Sequence, residues 1–235
     1  MRIHKIKALF KLGIEDLCKN MNVFIYIIMP IGFALLYSNM DVLGKEYIFS
    51  LCVLLMLAMV PVALMGTIIA EEKEKNTLRT LMLNDVKATE ILFAKALICM
   101  LFVVIDNLLM FFIIGLSMEH FLLYQLVCLF VGIAVILFGA VVGLLAKNQM
   151  SAGLLSLPFM FLLMAPLFTG MVQSDIFSKI SSFLPTDAMM EILDHIAKGT
   201  MTISNVGSSF LIILVWLAGS IVLFNIVYKK VGVDN

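Results

Sequence analysis

The sequence predicts an all-α membrane protein with six transmembrane helices, and three observations predict it. First, 63% of the 235 residues are hydrophobic and only 14% are charged, where a soluble domain carries about 25% charged residues. A soluble fold of this length leaves too much of its chain at the surface to hide that much apolar material. Second, six apolar runs approach the roughly 20 residues that a spanning helix needs: about 22–38, 47–70, 89–116, 121–145, 152–172 and 208–228. Third, lysine and arginine are distributed asymmetrically over the loops between these runs. With the N-terminus placed in the cytoplasm, 13 of the 16 basic residues fall on the cytoplasmic side, and only Lys45, Lys179 and Lys198 lie outside. That bias sets orientation, so both termini are expected inside.

Each element follows in order. Residues 1–21 carry Ile3, Ile6, Phe10, Ile14, Leu17 and Met21 at gaps of three and four, with Lys5, Lys7, Lys11, Glu15, Asp16 and Lys19 filling much of the rest. This is one apolar face of a helix, and it predicts an amphipathic interfacial helix along the inner leaflet. No small-x-small cleavage site follows, so the segment is read as retained rather than as a signal peptide. Residues 22–235 form the six-span domain. The first span is short enough to thin the bilayer, and spans three and four are separated only by "SMEH", a tight hairpin. Gly139 and Gly143 give span four a GxxxG, which permits close helix approach within one subunit or between two. Of five prolines, Pro30, Pro61, Pro158 and Pro166 fall inside predicted spans. They either bend helices around a cavity or reflect the ordinary frequency of proline in membrane helices. Between spans five and six, Ile176, Phe177, Ile180 and Phe183 mark one short outer helix, and "LPTDAMMEILDHIAKG" a second. Thr186 or Asp187 is expected to cap the latter, Lys198 to sit in its last turn and Gly199 to end it.

One dense polar block, "EEKEKNTLRTLMLNDV" at residues 71–86, interrupts this apolar chain on the cytoplasmic side. Span two is expected to continue through Glu71, Glu72, Lys73, Glu74 and Lys75. Asn76 tolerates a left-handed break. Thr77 can cap a short helix over 77–83, with Leu78, Leu81 and Met82 as its apolar face. Asn84 and Asp85 turn the chain into span three. The element is either a docking helix for a cytoplasmic partner or a solvated hairpin.

The block resembles the signature of ABC-2 type permeases, the transmembrane subunits of ATP-binding cassette exporters. That signature reads roughly E-R-E-x-G-T-L-E-x-L-L-x-S-P-V, followed by a glutamate and a G-K at the start of span three. Here stand Glu72, Lys73, Glu74, Asn76, Thr77, Leu78, Leu81, Met82, Val86, Glu90 and Lys95. The departures are Asn76 for glycine, Arg79 for glutamate, Asp85 for proline and Ala94 for glycine. Asn76 keeps a permissive backbone and Asp85 still favours a turn. The resemblance covers the whole chain, element by element. It implies a multi-pass protein of the bacterial plasma membrane that pairs with a second permease, identical or not, and with two copies of a cytoplasmic ATPase. Residues 77–83 would be the coupling helix that transmits ATPase closure, with Glu72, Glu74, Asn76, Thr77, Leu78, Leu81 and Met82 as the coupling residues. No G-x-x-x-x-G-K-[ST] occurs in the sequence, so ATP and its magnesium would belong to the partner ATPase. This chain would need no cofactor and would not be an enzyme.

Inside the membrane, Asp106 and Asn107 are candidate translocation residues, because an intramembrane carboxylate points to function by default. The alternative is interhelical hydrogen bonding. Lys95 is expected to snorkel to the inner surface, and Gln125 to lie near the outer boundary. The 18 methionines and 18 phenylalanines either line a cargo path or fill the lipid-facing surface. The four cysteines, Cys18, Cys52, Cys99 and Cys128, have no metal-ligand spacing and no metal is expected. A net charge of zero gives no reason to expect nucleic acid. Intramembrane proteolysis finds no support: Glu71 and Glu72 lack the arginine of E-E-x-x-x-R, whose place is taken by Asn76, and His120 and His195 fall in outer loops. The expected function is export of a hydrophobic or amphipathic cargo, such as an antimicrobial peptide or lipophilic drug. The alternative is a membrane immunity or sensor protein that binds a toxin without transport.

Overall fold

The computed structural model describes residues 3–39, 44–75, 77, 81, 83, 86–169 and 174–231. Among these residues every regular element is helical. The helices are α1 (Ile3–Lys19), α2 (Met21–Tyr37), α3 (Lys45–Glu74), α4 (Ala88–Ile114), α5 (Phe121–Leu145), α6 (Gln149–Leu163), α7 (Asp175–Ser182), α8 (Pro185–Ala197) and α9 (Ile203–Val231). Short 3₁₀ turns occupy Met118–His120 and Ala165–Phe168.

Local chemistry sets the breaks. Asn20, in extended backbone, separates α1 from α2. Gly115 ends α4 at φ 72°, a left-handed position that glycine adopts without cost. Asn148 caps α6 by accepting from the Ser151 amide at 2.8 Å, while the Ser151 hydroxyl accepts from the Asn148 amide at 3.0 Å, a reciprocal cap. Gly199, at φ 62°, follows α8 as expected.

Four helices are long and apolar enough to cross a membrane: α3, α4, α9 and the stretch Met118–Leu145 that contains α5. The apolar helices Phe24–Tyr37 and Gln149–Leu163 are shorter. At 1.5 Å per residue, the 15 residues of α6 reach about 22 Å, against a hydrocarbon core of about 30 Å. Within the predicted fifth span, 152–172, the described residues form α6 and then the 3₁₀ turn Ala165–Phe168, and 170–172 lie outside them. Pro166 lies not within a spanning helix but in the 3₁₀ turn after α6, where its missing amide costs nothing.

α3 is the central post. In its most apolar stretch 83% of residues are buried, against 11% for α9, which lies at the periphery. α2, α4, α5, α6 and α8 all pack on α3, and α9 packs on α5 and α8. α3 and α5 approach closely. A Cβ on Gly139 would stand 2.6 Å from the Pro61 carbonyl oxygen, and one on Gly143 would stand 2.7 Å from Ile69 Cβ and 2.9 Å from the Gly66 oxygen. The GxxxG thus serves packing within the subunit. Lipid supplies no hydrophobic force between spans, so close backbone contact of this kind is what holds them.

Some phenylalanines form core, whereas others, Phe112 and Phe161 among them, are exposed. Phe49 and Phe111 meet edge to face at 5.8 Å, and Phe111 meets Phe121 at 4.9 Å, geometries that aromatic quadrupoles favour. Cys52, Cys99 and Cys128 are buried free thiols.

α8 departs from the sequence reading. Neither Thr186 nor Asp187 caps it: Leu184 holds the cap position with Pro185 following. The Thr186 hydroxyl instead donates to the Leu163 carbonyl at the end of α6, 2.7 Å away and buried. The apolar face of α8, Ala188, Met189, Ile192, Leu193 and Ile196, is buried among α3, α5 and α9. α7 leaves its apolar side open, with Ile176 and Ile180 exposed.

Candidate coupling site at the charged end of α3

Four consecutive residues end α3, and each reaches a different neighbour. At 3.6 residues per turn, four successive side chains point around one full circle. A charged run at the end of a central helix can therefore touch every helix around it. Glu71 accepts from the Asn20 amide group at 2.9 Å, at the joint between α1 and α2. The same carboxylate pairs with Lys75 at 2.5 Å. Glu72 forms an ion pair with Lys95 of α4 at 2.5 Å, with side chains 13% and 5% exposed. Lys73 donates to the Leu144 and Ala146 carbonyls at 2.7 and 2.8 Å, where α5 ends. Glu74 accepts from the Gln149 amide at 3.0 Å, where α6 begins.

The last two contacts match the polarity of helix ends. The final carbonyls of a helix lack partners and carry partial negative charge, and the first amides carry partial positive charge. Lys73 thus supplies a cation to the C-terminus of α5, and Glu74 an anion to the N-terminus of α6. Together they clamp the α5–α6 turn to the end of the central post.

Lys95 does not snorkel. It is 4% exposed, and a buried ammonium requires its counter-ion, which Glu72 provides. This link was not legible in the sequence, because 23 positions separate the partners and only the fold joins them.

The structure places the sequence-derived coupling residues as follows. Glu72 and Glu74 belong to the radial set. The Thr77 hydroxyl donates to the Glu72 carbonyl at 3.1 Å, back onto α3. Leu81 packs against Leu9, Ile91 and Ala94, between α1 and α4. Asn76, Leu78 and Met82 lie outside the described residues. Leu83 is 81% exposed. Residues two apart lie on opposite sides of a helix, so with Leu81 turned inward Leu83 faces out. Leu83 was not among the residues read from the sequence, and the same spacing rule, applied once Leu81 is known to be buried, would have found it. A cleft of about 300 Å³ opens between α1 and this segment, bordered by Leu12, Leu17, Glu71, Thr77, Leu81 and Lys95.

Far along α4 lies a second polar group. The Asn107 amide donates to the Gln125 carbonyl oxygen at 2.9 Å, linking α4 to α5. Gln125, in the second turn of α5, is 8% exposed. Asp106 is fully buried, and neither of its carboxylate oxygens meets a hydrogen-bond donor among the described residues. The same residues hold no cluster of metal-ligating side chains.

Residues 21–227 match the family described as "ABC-2 family transporter protein". The chain belongs to the ABC-2 family. It is a multi-pass membrane protein and, with its family, a membrane component of an ABC transporter rather than an ATPase. No curated protein matches the chain.

Proposed function

We propose that this chain is the transmembrane permease subunit of an ABC exporter, with α2 and α6 completing six spans and both termini in the cytoplasm. Two copies of a separate cytoplasmic ATPase drive it, and a second permease, identical or different, completes the pathway. Residues 77–83 act as the coupling helix. The observation that carries this reading is the radial set at the end of α3: a push on the segment after Lys75 reaches α2, α4, α5 and α6 through Glu71, Glu72, Lys73 and Glu74. Leu81 anchors the segment to α1 and α4, and Leu83 presents an apolar contact to the motor. A toxin-binding immunity or sensor protein would give this charged hub no task.

The cargo is a hydrophobic or amphipathic molecule, a peptide or lipophilic drug, moved outward. Asp106 and Asn107 lie on its route, and an unpaired buried carboxylate is the expense a transporter keeps for function. ATP-driven accumulation of fluorescent amphipathic peptides or lipophilic dyes in inverted vesicles holding the chain and its ATPase tests this. Accumulation that the Asp106→Leu variant abolishes is the expected result. No ATP-dependent movement of any such cargo would overturn the reading.

A further inference from the structure

We infer that Asp106 and Asn107 form a binding site for a primary ammonium group, so that the cargo is a cationic amphiphile. The inference rests on the reading that these two residues lie on the cargo route. Among the described residues, four buried polar atoms here meet no hydrogen-bond partner: both carboxylate oxygens of Asp106, the side-chain oxygen of Asn107 and the side-chain nitrogen of Gln125. Asp106 is 0% exposed, Asn107 1% and Gln125 8%. Buried polar atoms are nearly always partnered. A polar group kept unpaired inside a membrane bundle points to a ligand that completes its bonding.

Donor count and charge select the ligand. Three of the four atoms are acceptors, and two of them belong to a carboxylate. A primary ammonium brings three N–H donors and one positive charge, which match them one for one. An anion would meet the Asp106 carboxylate. A calcium or magnesium ion takes six or more oxygens and would find three. The same side of α4 already holds one ammonium in this way. Lys95 lies three turns before Asp106, at 11 residues and 3.6 per turn. It is 4% exposed and pairs with Glu72 at 2.5 Å. An ammonium in this core requires a carboxylate, and Asp106 offers one that no donor among the described residues engages.

The surroundings suit an amphiphile. The Asn107 amide donates to Gln125 at 2.9 Å, which holds both side chains and leaves the Asn107 oxygen as an acceptor. Four residues on, one turn nearer the Gly115 end, stands Phe111 on the Asn107 side of α4. Phe111, Phe49 and Tyr124 form a cluster with ring centroids 5.4 to 6.2 Å apart. Aromatic faces attract a cation within about 6 Å, and one helical turn is about 5.4 Å. In the other direction, Val103 and Leu57 close on Gly132, whose added Cβ would stand 3.4 and 3.6 Å from them. A charged head thus has polar partners, and its hydrocarbon has apolar walls on both sides.

Binding can be read without transport, from the thermal unfolding midpoint of the purified chain in nonionic detergent. The probes are hexylammonium, hexyltrimethylammonium and hexanol. All share one hydrocarbon chain; the second has the charge without N–H donors, and the third has no charge. Saturating hexylammonium is expected to raise the midpoint by about 5–10 °C, the shift that a ligand at a hundred times its Kd gives a chain of this length. The other two probes should raise it clearly less. Asp106→Asn should remove the difference between hexylammonium and hexanol, and Asn107→Leu should shrink it. Equal shifts from hexylammonium and hexanol, or no shift from either, would overturn the proposal. So would equal shifts from the two ammonium probes, which would leave the three donors no part. A shift on replacing choline chloride by sodium chloride, lost in Asp106→Asn, would overturn it in favour of a sodium ion. The route is tested separately by ATP-driven movement in vesicles. Hexylammonium binding that depends on Asp106, with movement that Asp106→Asn leaves intact, would keep the site and overturn the route.

Discussion

Glu72 and Lys95 form a buried ion pair, and the energetics of such pairs are asymmetric. Removing one partner strands a charge in an apolar site and costs about 3–5 kcal/mol, whereas replacing both with apolar groups is often neutral. Glu72→Gln and Lys95→Met are each expected to lower the midpoint of thermal unfolding in detergent sharply, with Glu72→Leu/Lys95→Met recovering most of the loss. Additive losses would show that the pair is not coupled. Asp106 carries the opposite expectation. It is fully buried without a donor among the described residues, so Asp106→Asn should raise the midpoint while lowering transport; a variant that loses stability would place Asp106 among the structural residues. Asp187, at the start of α8, gives a pH signature. Burial first, and the neighbouring Glu191 carboxylate second, raise its pKa above the ordinary aspartate value. A carboxyl whose folded pKa is raised favours the fold when protonated, and that contribution is lost as pH rises through the folded pKa. Melting across that window should show stability falling as pH rises, and Asp187→Asn should flatten the slope; an unchanged slope would assign it to another group. Sequence reading found Glu72, Asp106 and Asp187 by type and spacing. It missed the Lys95 partner of Glu72 and the Glu191 neighbour of Asp187, because ion pairs and burial between helices depend on a fold that local periodicity does not encode.

Among the helices, the α3–α5 contact depends on two glycines. With a Cβ at Gly139 only 2.6 Å from the Pro61 carbonyl, backbone must move, and overpacking of this kind typically costs about 1–3 kcal/mol. Gly139→Ala is expected to destabilise the subunit by that order, measured by thermal melting in detergent. Gly219→Ala on α9, where an added Cβ meets nothing within 4 Å, should be neutral; equal effects would refute the close approach. The GxxxG was visible in the sequence, but whether it joins two helices of one subunit or two subunits was not, since both use the same residues. Existence and type of the long helices were legible from apolar length alone. The inward turn of α8 was not, because an amphipathic helix reads the same whether its apolar face meets lipid or protein.

At the scale of the molecule, one central helix gathers its neighbours and ends in a charged hub. The order of apolar runs and the dense polar block foretold the bundle and located the hub. The radial wiring was not legible, since which neighbour each of Glu71, Glu72, Lys73 and Glu74 meets is set by the arrangement of helices around α3. The central claim is that this hub and the segment after it receive the motor. The most direct measurement is co-purification of tagged protein from its native membranes in gentle detergent, with partners identified by mass spectrometry. The account predicts an ATP-binding cassette ATPase that copurifies with the chain and is lost from the Leu83→Asp variant, while Lys73→Ala retains the ATPase and uncouples its ATP hydrolysis from transport. Recovery of the chain without an ATPase, unchanged by those substitutions, would contradict it.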